Sequence, residues 1–130
     1  MLTKQCEKKM PENKIIRMQG AVQHYAWGGF EFIPNLLGIK NNNVQPFAEL
    51  WMGTHPRGEA SVELNHQNIP LSTFIQTNPK TLLGETVVEK FGEQLPFLFK
   101  VLDVNKMLSI QSHPTKAAAE IGFKKENEAG

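Results

Sequence analysis

The 130-residue sequence predicts a mainly β fold, part of a β-sandwich or barrel with short peripheral helices. Two observations carry this prediction. Short runs of β-branched, apolar and aromatic residues recur between turn-forming Gly, Pro and Asn. No strand pattern alternates with a long helical one, which argues against a parallel α/β sheet.

Met1 to about Lys14 reads as a polar, charged leader with no helical or strand period, and it is expected to be loose. Met10 and Met18 are alternative starts to Met1. Ile15–Val22 and Gln23–Trp27 read as strands, ended by Gly28-Gly29. Phe30–Leu37 is at best a short helical turn, because Pro34 interrupts it and Gly38 stops it. Lys40–Gln45, with its three asparagines, is a loop.

Phe47–Met52 reads as a strand and Gly53–Gly58 as a loop around Pro56. Ala60–Leu64 alternates, with Val62 and Leu64 set against Ser61 and Glu63, as in a half-exposed strand. Asn65–Asn68 is a turn, and Ser72 is the expected N-cap of a short helix. Thr81–Phe91 has the apolar spacing of an amphipathic helix, weakened by Gly84 and stopped by Gly92. Pro96–Leu102 and Met107–His113 are the last strand candidates. Thr115 is expected to cap a helix from Lys116 to about Glu126, whose alanine run has high helix propensity.

Composition narrows the function classes. The chain is 40% hydrophobic and 21% charged, as in a soluble globular protein, with a net charge of +1. That charge gives no global basic field, so neither nucleic acid nor a membrane surface is the expected partner. Apolar runs are only a few residues long, too short for a transmembrane helix. The first seventeen residues carry five Lys/Arg and two acids with no apolar stretch behind them, unlike a secretory signal. The single cysteine, Cys6, allows no internal disulfide and no thiolate metal site. A reducing cytoplasm is the natural setting.

The chemistry concentrates in Ser109-Ile110-Gln111-Ser112-His113-Pro114. On a strand, Ser109, Gln111 and His113 would share one face. An imidazole beside a neutral amide oxygen would leave a bound Zn²⁺ most of its positive charge, as suits a Lewis acid. The alternative is a solvated polar edge of an antiparallel sheet. Lys100 stands alone among apolar neighbours, where it either snorkels to solvent or meets an anion such as phosphate. His55 lies in a loop beside Arg57, with loop packing favoured over substrate contact. His24 and His66 read as structural or exposed. Trp27 and Trp51 read as core or pocket-wall aromatics. Gly28-Gly29 has no following phosphate-loop fingerprint.

Six blocks, in order, resemble the type I phosphomannose isomerases. They are VQHYAWGG (22–29), AELWMGTHP (48–56), TLLGE (81–85), LPFLFKVL (95–102), LSIQSHP (108–114) and IGFKKENEAG (121–130). The resemblance covers about Ile15 to Gly130 and implies an incomplete portion of a cupin-type (jelly-roll) β-sandwich catalytic domain. It implies a zinc-dependent aldose–ketose isomerase acting on mannose 6-phosphate and fructose 6-phosphate, at the entry to GDP-mannose synthesis. It implies that Gln111 and His113 are zinc ligands, and that Lys100 and Ser109 line the substrate pocket towards the phosphate. Trp27 and Glu49 match further pocket positions. Glu49 is the one candidate for a catalytic assistant, and no residue is assigned as the base. Family chains continue well past position 130, with a further glutamate and histidine as zinc ligands. The 130 residues alone are therefore expected to be inactive. The competing reading is a non-catalytic β-domain, a binding module. A cupin metal oxygenase is disfavoured for want of a closely spaced two-histidine, one-carboxylate set.

The short link Asp103–Lys106 predicts an antiparallel hairpin of Pro96–Leu102 with Met107–His113. In its register Lys100 would face Ser109, and Leu98 would face Gln111.

Overall fold

The computed structural model describes residues 15–129, so the leader and Cys6 lie outside the described residues. In chain order the elements are β1 (Met18–Gln19), β2 (Ala21–Gln23), α1 (Phe32–Leu37), β3 (Glu49–Met52), β4 (Ser61–Leu64) and β5 (Gln67–Pro70). They continue with α2 (Leu71–Thr77), α3 (Pro79–Leu83), α4 (Glu85–Phe91), β6 (Phe99–Leu102) and α5 (Lys116–Ala129). The strands form two three-stranded antiparallel sheets, β1-β4-β5 and β2-β3-β6. Helices surround them, as expected of the fold class. α5 is the longest at 14 residues and buries none of them.

The first sheet follows from the alternation in β4. Val62 is buried while Glu63 is exposed, and Val62 pairs with Ile69 across the ladder. Ala60, Val62, Leu71, Phe74 and Ile75 make one core cluster, with Leu82, Leu83 and Leu95 packed against it. β5 is an element the sequence pattern does not show, because Gln67-Asn68-Ile69-Pro70 is polar and ends in proline. The turn before it is only two residues, Asn65 and His66, both at positive φ (50° and 61°). Such a turn has the twist that joins adjacent antiparallel strands.

α2 starts at Leu71 directly after β5, and Ser72 does not cap it. The Ser72 N–H instead donates to Glu59 Oε1 at 2.6 Å. The amphipathic stretch 81–91 is divided at Gly84, whose φ of 88° and ψ of 149° cannot continue a helix. Pro79 opens α3 at a position where its missing N–H costs nothing. The Thr115 cap is observed: its Oγ1 accepts from the Ala118 N–H at 3.3 Å.

The second sheet has one apolar face. Ile33 from α1, Phe47 and Leu50 are buried together, and Val22, Met52 and Val101 pack on them. α1 forms despite Pro34 because that residue sits in the first turn, where no intrahelical donor is required. Gly38, at φ 66°, ends it.

Two expected strand assignments are corrected. The hairpin of Pro96–Leu102 with Met107–His113 does not form, and 107–113 is irregular and exposed. β6 pairs instead with β3, and Lys100 faces Trp51, not Ser109. The reason lies in the supposed turn, whose backbone is taken by 27–29. Gly29 N–H donates to Asp103 O at 3.0 Å, and the Asn105 and Lys106 N–H groups both donate to Trp27 O. Gly28 bridges Val104 and Gly29 bridges Phe47. This close approach needs glycine, since a Cβ at Gly28 would strike the Ala48 backbone and one at Gly29 the Asp103 carboxylate. The expected strand Gln23–Trp27 likewise stops at Gln23, because Ala26-Trp27 turn and the Gly28 N–H donates to Tyr25 O at 2.9 Å.

Candidate functional site

Directly opposed residues of an antiparallel ladder point to the same side. The register sets Gln23 opposite Glu49, and Trp51 opposite Lys100. Residues 23, 49, 51 and 100 therefore share the face away from the Ile33–Phe47–Leu50 cluster. Alternation along β3 makes one strand serve both purposes: Leu50 and Met52 turn to the core, Glu49 and Trp51 to the polar face.

Glu49 is the centre of this face. It is only 8% exposed, although it is a carboxylate. Burying a charge is costly unless it is paired and hydrogen-bonded. Both conditions are met: Lys100 Nζ lies 3.2 Å from Glu49 Oε2, and the Trp51 indole N–H donates to the same oxygen. Lys100 Nζ also stands 4.6 Å from the Trp51 ring centroid, a cation–π distance. The three side chains thus close on one another.

The surroundings fix Trp51 further. His55 meets it edge-on with centroids 4.9 Å apart. The His55 Nδ1 accepts the Arg57 N–H at 3.2 Å, which leaves Nε2 to carry the proton of the neutral ring. Gly58 closes the loop over Gln23 and Trp51, both of which a Cβ there would meet. The Tyr25 hydroxyl donates to Gln23 Oε1 at 3.5 Å, and the Tyr25 ring stacks on Trp27 at 5.7 Å. The resulting chain is Trp27–Tyr25–Gln23 on β2 and its following turn, then Glu49–Trp51–Lys100 across β3 and β6.

The structure brings Glu49 and Lys100 into direct contact and links Trp27 to the same face through Tyr25. Ser109, Gln111 and His113 lie in the exposed irregular stretch and make no hydrogen bond or ion pair with this cluster among the described residues. Gln111 and His113 offer an amide oxygen and an imidazole nitrogen, donors that suit zinc. Among the described residues no three His, Cys, Asp or Glu side chains gather as a metal site. Gln23 is not singled out by the sequence, and His55 there has packing favoured over substrate contact. The available signal was the alternation in AELW, which puts Glu49 and Trp51 on one face, whereas Gln23 joins them only through the β2-β3 register.

Comparison with known proteins decides the family. The sequence model of the phosphomannose isomerase type I catalytic domain matches residues 15–129. The chain belongs to that family. It is 48% identical over 115 residues to the mannose-6-phosphate isomerase of Salmonella typhimurium, covering 88% of this chain and 29% of that protein. It is 41% identical over 118 residues to the enzyme of Candida albicans, covering 82% and 26% respectively. The fold agrees with a crystal structure of the Salmonella typhimurium enzyme bound to fructose 6-phosphate and zinc, at TM-score 0.75, 47% identity, and 88% and 29% coverage. A zinc-bound holo structure of mannose 6-phosphate isomerase matches at TM-score 0.76 and 46% identity. The chain therefore spans less than a third of the length of these relatives. Family membership bears out the six-block resemblance and the cupin-type fold class.

Proposed function

We propose that this chain supplies part of the catalytic domain of a zinc-dependent isomerase that interconverts mannose 6-phosphate and fructose 6-phosphate. The supporting observation is that its fold and 47% of its aligned residues agree with a relative that binds fructose 6-phosphate and zinc. The polar face fits this reading, because a sugar phosphate offers hydroxyls and an anion to a fixed cation and amide. Residues 15–130 are assigned to that catalytic domain.

Gln111 and His113 would hold the zinc. The bound ion would supply a Lewis acid for the oxyanion that develops as a proton moves between C1 and C2. Lys100 and Ser109 serve the phosphate end, and Trp27 walls the pocket. Binding energy gained at the remote phosphate would orient the reacting carbons. Glu49 assists through its contact with Lys100. The product feeds GDP-mannose synthesis, and the setting is cytoplasmic. No described helix is long and apolar enough to cross a membrane.

A chimera tests the assignment. Residues 15–129 replace the matching segment of the Salmonella typhimurium relative, and conversion of mannose 6-phosphate is assayed with zinc. Activity that a chelator abolishes is expected. Gln111→Ala and His113→Ala should lower kcat and zinc content together. A folded, zinc-loaded chimera without activity would favour the non-catalytic β-domain.

A further inference from the structure

We infer that Glu49 is a positioning residue, which anchors both the Lys100 ammonium and the Trp51 ring beneath it and so holds that ammonium in one orientation on the polar face of the β2-β3-β6 sheet. This rests on the proposed sugar-phosphate reading and extends it to a second layer of residues.

The argument begins with the freedom a lysine ordinarily has. A lysine side chain samples many rotamers, and its ammonium is a compact charge with no preferred direction. Here three constraints converge on it. Glu49 Oε2 forms an ion pair with it at 3.2 Å. The Trp51 ring lies under it at 4.6 Å. Trp51 cannot turn away, because its own indole N–H is spent on the same carboxylate oxygen, His55 meets its edge, and Gly58 closes over it. Glu49 is thus the common anchor of cation and platform.

The pair is also unequal in exposure. The Glu49 side chain is 10% exposed and that of Lys100 is 36%. The carboxylate is enclosed, and the ammonium is the member that meets solvent or ligand. A group that is enclosed, charged and bonded to two side chains holds the geometry. The exposed group makes the contact. The ammonium keeps N–H donors for an oxygen of the ligand, and its position is set before the ligand arrives.

The test uses the zinc-loaded chimera with the Salmonella typhimurium relative and nuclear magnetic resonance of the lysine ammonium and tryptophan indole groups of residues 15–129. Val62 and Phe74, in the separate core cluster of the other sheet, are the internal control for folding. In wild-type protein, fructose 6-phosphate should shift the Lys100 ammonium signal. Glu49→Gln should displace the Trp51 indole and Lys100 signals, leave those of Val62 and Phe74 unmoved, and weaken fructose 6-phosphate binding at least tenfold. Glu49→Asp should recover part of both the signals and the affinity. Lys100→Met should cause a similar loss, and adding Glu49→Gln to it should cost less than a further twofold. That non-additivity distinguishes action through Lys100 from an independent role. Unchanged Lys100 and Trp51 signals in Glu49→Gln would overturn the inference, as would multiplicative losses in the double variant or tighter binding by Glu49→Gln. If wild-type protein fails to bind fructose 6-phosphate while the Lys100 and Trp51 signals respond to Glu49→Gln as stated, the positioning role stands and the sugar-phosphate reading fails. Should Glu49→Gln unfold, the Glu49→Asp signals decide, and their identity with wild type at reduced affinity would contradict the anchor.

Discussion

A lysine inside an apolar run is visible in the sequence, but the carboxylate that receives it is not. Lys100 and Glu49 are far apart in the chain and meet only because β6 adds to β3 in a particular register. Local reasoning could mark the cation, and could offer snorkelling or an anion as its fate. It could not supply the partner, because pairing between distant strands is a property of the sheet. The same limit explains Gly28-Gly29. The pair read as a stop, whereas its use is the close backbone packing of Ala48 and Asp103 around 28–29. Gly28→Ala should therefore destabilise the chain by about 1–3 kcal/mol, the usual cost of overpacking, with a lowered midpoint in urea unfolding. Leu50→Ala, which empties part of the core under the polar face, should cost about 2–5 kcal/mol in the same measurement.

At the scale of elements, strands with clear alternation or dense apolar content were legible: β3, β4 and β6 fall where the pattern puts them. β5 was not, because its partner β4 and the two-residue turn determine it more than its own polar sequence does. That turn offers a direct check. His66 holds φ 61°, a conformation that favours glycine, and its ion pair with Glu63 is an exposed one at 3.9 Å. His66→Gly creates Asn-Gly, the preferred pair for such a turn. It should raise stability by about 0.5 kcal/mol, seen as a small rise in Tm. The hairpin at 103–106 failed for the opposite reason. Its residues had turn length but a stronger use, as acceptor and donors for 27–29. Gly84 also escaped a periodicity argument, since the apolar spacing continues across it. Gly84→Ala would not fuse α3 and α4. At φ 88° it should destabilise by about 1 kcal/mol, with no gain of helical circular dichroism.

For the whole molecule, the two sheets have separate core clusters, and the candidate site sits on the face of one of them. α5 contributes no buried residue, so its amides should exchange with solvent much faster than those of β3 in a hydrogen-exchange experiment. The six motif blocks made the family legible, because ordered runs of specific residues carry information that periodicity does not. The structure divides the residues singled out from them. Glu49 and Lys100 are in contact, whereas Ser109, Gln111 and His113 are exposed in a stretch without regular structure. The proposed roles of these three thus rest on the resemblance of the LSIQSHP block, with zinc for Gln111 and His113 and the phosphate end for Ser109. Gln111→Ala and His113→Ala should each lower zinc affinity at least tenfold by calorimetry, a loss in the range of about 10–100-fold known even for residues that only support a ligand.

The central claim is that the polar face of the β2-β3-β6 sheet receives a sugar phosphate. It is tested most directly by mapping the backbone and side-chain chemical shifts of residues 15–129 while fructose 6-phosphate is added to the zinc-loaded chimera with the Salmonella typhimurium relative. The account predicts saturable shifts at Gln23, Glu49, Trp51 and Lys100, with Val22, Leu50, Met52 and Val101 on the core face nearly still. Saturable shifts confined to the core face or to the β1-β4-β5 sheet, or no shifts at all, would contradict it.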